Sequence, residues 1–484
     1  MFALYSFVNQ GVKFAGVRRF VGPQYKQFPA AGNDGRMALK GGVGQSAKGT
    51  LCFAETARLH FDAEMDWSWT IVNLSCGTLA GLRRGAGAAN LRAIIMKTQN
   101  REPLRIVRGQ PSWRLAASEV EAFVTQTGGQ LAPVTFERRG RRIRPYSIAP
   151  WAEEPTPASV PAILNVLRGD FFCLPFGGNG TAFGKEKHPV HGETANARWR
   201  FESRQKQEGK TCLHLSLQTK IRPARVDKQI LLADGQNNVY CRHVVSGAAG
   251  PMCLGHHAML KFPDEPGSGL LSTSRVILGQ VLPVPFELPE QGGYSFLKPG
   301  ASFQSLQTVP ALNGETADLS RYPARRGFED LVMLVNDASE KLAWTAVAFP
   351  KERYVWFGLK DPRVLRHTVL WLSNGGRHYP PWSGRHVNVM GLEEVTAYFH
   401  LGLAESAAAN PLSQAGHPTC VTLDAAKPLV ISYIMGTAKI PAGFDRVASI
   451  QPAAGGREII LESASGKQAR AAVDVEFLHE APIS

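Results

Sequence analysis

The chain has 484 residues, 44% of them hydrophobic and 19% charged, values that exclude a wholly disordered polymer. That length leaves room for one large domain with additions or for two to three ordinary ones. A formal charge of +14 raises nucleic acid as a partner, but the densest basic run, Arg138-Arg-Gly-Arg-Arg-Ile-Arg144, falls between two strand-like pieces, reads as a hairpin tip, and has no nucleic-acid module around it.

No apolar run approaches the roughly 18 residues needed to span a bilayer. The first 22 residues are interrupted by Asn9, Gln10, Lys13 and Arg18-Arg19, so they lack the apolar centre of a signal peptide. The seven cysteines are odd in number and scattered, without a CxxC pair, which points to a reducing compartment rather than a disulfide framework. The expectation is a cytoplasmic protein with no nucleic-acid and no membrane partner. Nothing in the sequence bears on its oligomeric state.

Residues 1–95 have no sustained period of 2 or 3.6, only glycine-, alanine- and arginine-rich pieces between short apolar scraps. We expect an extension of low order there, with Met96 as the natural start. Beyond it the pattern is β. Val120–Thr125 alternates, and Gly128-Gly129 turns the chain into Gln130–Phe136. The stretches Thr211–Leu217, Gln229–Ala233 and Asn238–Val245 follow, the last two joined across Asp234-Gly235, a hairpin signal. Val332–Val335, Leu342–Phe349, Tyr354–Phe357, Thr368–Leu372, Leu429–Met435, Glu458–Leu461 and Ala472–Phe477 complete the set. Only Ala162–Leu167 and Leu401–Ala409 look helical. One large antiparallel β domain over residues 104–484 is the economical reading, because two packed sheets bury alternating faces of this kind.

Three segments carry side chains suited to chemistry. The first runs from Gly169-Asp-Phe-Phe-Cys-Leu-Pro-Phe-Gly-Gly-Asn179 to His188-Pro-Val-His-Gly-Glu-Thr-Ala-Asn-Ala-Arg-Trp199. Pro189 and the glycines keep it out of helix, and His191 and an aromatic platform could hold a sugar. The second is Gly255-His256-His257, the third Gly391-Leu-Glu393-Glu394. Neighbours in a strand face opposite ways, so only one histidine and one glutamate of each pair can serve a given cleft. Taken singly, each has a structural account: a core histidine in a turn, a histidine bonded to backbone, a solvated glutamate edge.

In this order, and with Trp371-Leu-Ser-Asn-Gly-Gly and Pro145-Tyr-Ser-Ile-Ala-Pro-Trp151 between and before them, the segments resemble the aldose 1-epimerase (galactose mutarotase-like) superfamily, nearest its less characterised bacterial branches. The resemblance spans residue 104 to the C-terminus. It implies an all-β, mostly antiparallel β-supersandwich with a sugar cleft across one concave sheet. It also implies an isomerase that exchanges sugar anomers by opening and reclosing the hemiacetal ring, with no metal and no organic cofactor. Glu393 aligns with the general base, His257 with the general acid, and His191 with a group near the ring oxygen. Glu394 and His256 remain open as one-position alternatives; the preference for Glu393 rests on its place after Gly391-Leu392.

Supporting residues expected at the sugar are Asn179 or Arg198 in place of the family's arginine, Asp170, His256, and Trp382 as a stacking wall in a loop. Trp199 and Trp371 are further aromatic candidates. A zinc site from His188, His191 and His256 is conceivable, but no helix or flanking carboxylate supports it. Two other function classes stand beside the enzyme: a sugar-binding or sensing protein without turnover, and a polysaccharide lyase, for which the usual helical array is missing.

Overall fold

The computed structural model describes residues 103–157 and 159–480; the expected extension over 1–95 lies outside them. Two large antiparallel sheets dominate. One is eight-stranded and contains, in spatial order, Ser302–Phe303, Val276–Val281, Phe328–Asn336, His367–Asn374, Val389–Thr396, and then Leu254–His256 with Phe172–Cys173 at its edge. Ala258–Lys261 continues the line of Leu254–His256 against the same Val389–Thr396 strand. The other sheet is nine-stranded, from Arg321–Tyr322 at one edge to Arg200–Gln207 at the other, with Tyr354–Lys360 and Leu429–Lys439 near its middle.

The core lies between these sheets. Leu370, Leu372, Met390 and Leu392 from the first join Val347, Trp356, Tyr433 and Met435 from the second in one buried cluster. The nine-stranded sheet has a second covered face. Trp344, Val355, Phe357 and Ile434 pack there on Ile450, Ile459, Leu461 and Phe477 of the C-terminal segment, which holds a three-stranded sheet. Two-sided burial explains why Ala343–Phe349 and Tyr354–Lys360 are buried at every position and read as continuous apolar runs rather than alternating ones.

The turn readings hold. Ala224–Ala233 pairs with Asn238–Ser246 around Gly235, whose φ of 78° suits a tight hairpin. The basic run closes as a hairpin tip, with Phe136 and Ile143 exchanging both backbone hydrogen bonds at 2.9 and 3.0 Å and residues 139–142 exposed. Both helical pieces are present, as Ala162–Val166 and Leu403–Ala407. Among the described residues no helix is long and apolar enough to cross a membrane.

Candidate active site

Strand register brings the two chemical segments together. Gly255 stands opposite Val395 and Ala258 opposite Leu392. Continuing that register between them sets His256 opposite Glu394 and His257 opposite Glu393. Alternation then sorts the pairs onto different faces. His257 and Glu393 point away from the nine-stranded sheet, with Nε2 and Oε1 3.2 Å apart. His256 and Glu394 point into the space between the sheets. His256 Nδ1 meets Asp170 Oδ2 at 2.9 Å, while Glu394 pairs with Lys360 and accepts from Thr345 Oγ1 at 2.6 Å and Thr368 Oγ1 at 2.8 Å.

Glu393 and His257 lie at a cavity of about 380 Å³, whose lining includes Phe171, His191, Leu331, Trp371, Arg377, Trp382 and His400. The helix Ala162–Val166 adds Ile163 and Leu164, and Trp151 Nε1 pins that helix by donating to the Leu164 carbonyl at 2.7 Å. Gly391, two residues before Glu393 on the same strand face, is required by space. A Cβ there would stand 2.6 Å from Glu393 Oε1 and 3.0 Å from the Trp371 Cβ.

Burial changes the protonation of the groups at this cavity. Glu393 is 2% exposed and His257 4%. Burial pushes the Glu393 carboxyl well above the ordinary carboxylate range and holds the His257 imidazole down at about 3. Burial lowers His191 too, helped by His257 and His400. It takes His400 to about 4, with Arg377 adding to the effect. The Glu393–His257 contact is therefore a neutral pair holding one proton rather than an ion pair. His257 lies stacked on Phe171, ring centres 4.6 Å apart at 19°, and His191 meets it edge-on at 4.9 Å.

The other sequence candidates divide clearly. Trp382 lines the cavity and packs on Trp151 and Trp371 with ring centres 4.9 and 5.9 Å away. Asp170 and His256 do not line it, because they face the inter-sheet core and hydrogen-bond to each other. Asn179 is spent on loop geometry: its Nδ2 donates to the Gly177 and Pro189 carbonyls at 3.0 and 3.1 Å, and its Oδ1 accepts from Leu403 N at 3.0 Å. Arg198 is exposed and donates to Gln126 Oε1 outside the cavity. Trp199 is buried with its Nε1 on the Thr194 carbonyl at 2.9 Å. His188 pairs with Glu186 at 2.8 Å, and among the described residues no group of three or more His, Cys, Asp or Glu side chains is placed to hold a metal ion.

Sequence reasoning missed the cationic corner. Arg377 lines the cavity, its Nε donating to Glu287 Oε1 at 2.6 Å and its guanidinium 4.6 Å from the Trp382 ring centre. Tyr379 also donates to Glu287, at 3.1 Å. Beneath them Glu329 accepts from Trp371 Nε1 and Ser373 Oγ, each at 3.0 Å, while burial lifts its carboxyl to about 7. Arg377 comes directly after the Trp371–Gly376 motif, so its neighbourhood was visible; the buried Glu287 that holds it in place was not.

No protein-family model and no curated protein sequence matches this chain. Solved structures do. A galactose mutarotase-like protein from Clostridium acetobutylicum is similar over 70% of this chain and 98% of its own, at 12% identity and a TM-score of 0.47. A candidate aldose 1-epimerase from Escherichia coli K12 covers 68% and 99% at 12% identity, TM-score 0.46. A galactose mutarotase related enzyme from Lactobacillus acidophilus covers 67% and 97% at 12% identity, TM-score 0.44. These are likenesses at low identity, and the chemistry has to come from this chain's own residues.

Proposed function

We propose that this chain is an aldose 1-epimerase-like isomerase, exchanging the anomers of a monosaccharide by general acid and base catalysis. The observation that carries the reading is a carboxyl and an imidazole side by side, 3.2 Å apart, at one buried cavity of sugar-holding size. Anomer exchange takes a proton from the C1 hydroxyl and delivers one to the ring oxygen. Both oxygens are bonded to the same carbon, so acid and base need adjacent places.

The proton count also fits. With burial raising Glu393 and lowering His257, the pair holds one proton between them near neutrality. The resting proton lies on Glu393; its shift across the contact to His257 gives the carboxylate–imidazolium form, in which Glu393 takes the C1 hydroxyl proton while His257 gives its proton to the ring oxygen. The C1–ring oxygen bond breaks and a C1 carbonyl forms. Rotation about C1–C2 followed by the reverse transfers closes the ring on the other face and restores the pair. Trp382 offers a flat wall for the sugar's C–H side, and Arg377 and His191 supply donors for its oxygens.

The test is saturation-transfer NMR on a panel of aldoses and sugar acids. At least one should exchange anomers faster than in buffer, and the gain should vanish in Glu393→Gln. Binding without any exchange across the panel would favour a sugar-binding protein without turnover.

A further inference from the structure

We infer that His191 is a fixed hydrogen-bond donor through Nε2, its tautomer set by two donors on Nδ1, and that it takes no proton during turnover. This rests on the proposed sugar reading of the same cavity. His191 Nδ1 receives the Gly177 backbone N–H at 3.3 Å and faces the Cys173 thiol at 3.4 Å. An amide can only donate, so Nδ1 must offer its lone pair, and in a neutral imidazole the proton then sits on Nε2. Cys173 is fully buried, which pushes its thiol up and keeps it an S–H donor rather than a thiolate.

The same residue holds the backbone. The Gly177 carbonyl accepts the His191 N–H at 2.7 Å, so ring and main chain of His191 are tied to one residue. His191 adopts a left-handed φ of 58°, and Gly177 a φ of 101°. A side chain at Gly177 is excluded, because its Cβ would stand 2.5 Å from the His400 carbonyl oxygen. Protonating His191 would require displacing the Gly177 N–H from Nδ1. A donor-only group recognises an oxygen through its lone pairs alone, which suits a ring oxygen or the carbonyl oxygen of the opened sugar. His191 is thereby separated from the Glu393–His257 pair that moves the proton, although its ring is 4.9 Å from that of His257. Cys173 and Gly177 act through His191 as positioning residues.

The experiment is two-bond ¹H–¹⁵N correlation spectroscopy of the imidazole rings in the wild type, Cys173→Ala and Cys173→Ser, with anomer exchange measured on the same samples. His191 should be the Nε2–H tautomer and should not titrate between about pH 5 and 8. Cys173→Ala should move the Nδ1 resonance, leave Nε2 protonated, and lower kcat/KM about five-fold through KM, the size of one ordinary hydrogen bond; Cys173→Ser should recover most of that. An Nδ1–H tautomer or a titration in that window overturns the inference. An Nδ1 resonance unmoved in Cys173→Ala does too, since it reduces Cys173 to packing. The expected spectra with no anomer exchange for any sugar would support the clamp while removing the proposed function.

Discussion

Glu393→Gln separates catalysis from stability in one substitution. The amide keeps the shape of the side chain but cannot exchange a proton near neutrality. General acid–base catalysis by one group contributes about 10²–10⁴-fold, so the rate above buffer should fall by about 10³ at saturating sugar. Stability should move the other way. Burial is the sole cause raising the Glu393 carboxyl. An acid with a raised folded-state pKa contributes fully below its unfolded value, about 4.3 for glutamate, and loses that contribution as pH rises toward the folded value. The loss is up to about 1.4 kcal/mol per pH unit, and glutamine does not titrate. Between pH 5 and 7 the stability of Glu393→Gln relative to wild type should therefore grow by as much as about 2–3 kcal/mol. Urea denaturation at the two pH values measures it, and anomer exchange NMR measures the rate. Activity within ten-fold of wild type, or a stability difference that shrinks with rising pH, would refute the reasoning.

Four further outcomes follow from the same geometry. His257→Phe keeps the stack on Phe171 and removes the proton carrier, so exchange should drop by about 10²–10⁴ with an unchanged circular dichroism spectrum. Glu394→Ala leaves Lys360 buried without its counter-charge and should cost about 3–5 kcal/mol in urea unfolding; a variant as stable as wild type would contradict the assignment of the two glutamates to opposite faces. Gly391→Ala drives a methyl into the Glu393 carboxyl, and exchange should fall about ten-fold, near the upper cost of one lost ordinary hydrogen bond. Trp382→Ala should raise KM about ten-fold or more while changing kcat less, read from the sugar dependence of the exchange rate.

Most strands, the Asp234-Gly235 hairpin and the basic tip were legible because local pattern decides them: alternation, a dipeptide suited to a tight turn, a charge run between apolar pieces; Ala472–Phe477 was not, since the strand Gln468–Ala472 ends there and Val475–Leu478 forms a short 3-10 helix. The choice between Glu393 and Glu394 was not. Both are buried, at 2% and 0% exposure, so polarity distinguishes neither; what differs is the layer each faces, a tertiary fact. Asp170, expected at the sugar, lies elsewhere for the same reason. Its neighbour Phe171 faces the cavity, and Asp170 turns inward to His256. Asn179 looked like a polar group free to meet a ligand, but a left-handed φ of 52° and bonds to several backbone groups commit it to the loop. Arg377 was passed over because a lone arginine in a loop reads as solvated until its carboxylate partner is known.

The adjacency of Glu393 and His257 depends on a register that the layer behind the cavity protects. Sliding the Val389–Thr396 strand by one residue would exchange the two glutamates, carrying Glu394 to the cavity and Glu393 inward. The interior is furnished for one carboxylate at one height: Lys360, Thr345 and Thr368 converge on Glu394, while Gly391 leaves space for the Glu393 carboxyl on the other face. Slid one way, the strand would put Leu392 in the Glu393 place beside His257; slid the other way, it would put Val395 in the Glu394 place. In the second case Lys360, whose Nζ also donates to the His367 carbonyl at 2.7 Å, would lose its counter-charge in a layer where an unpaired charge costs several kcal/mol. The buried ion pair thus acts less as a source of stability than as a register lock, holding a neutral acid–base pair one strand position away on the opposite face.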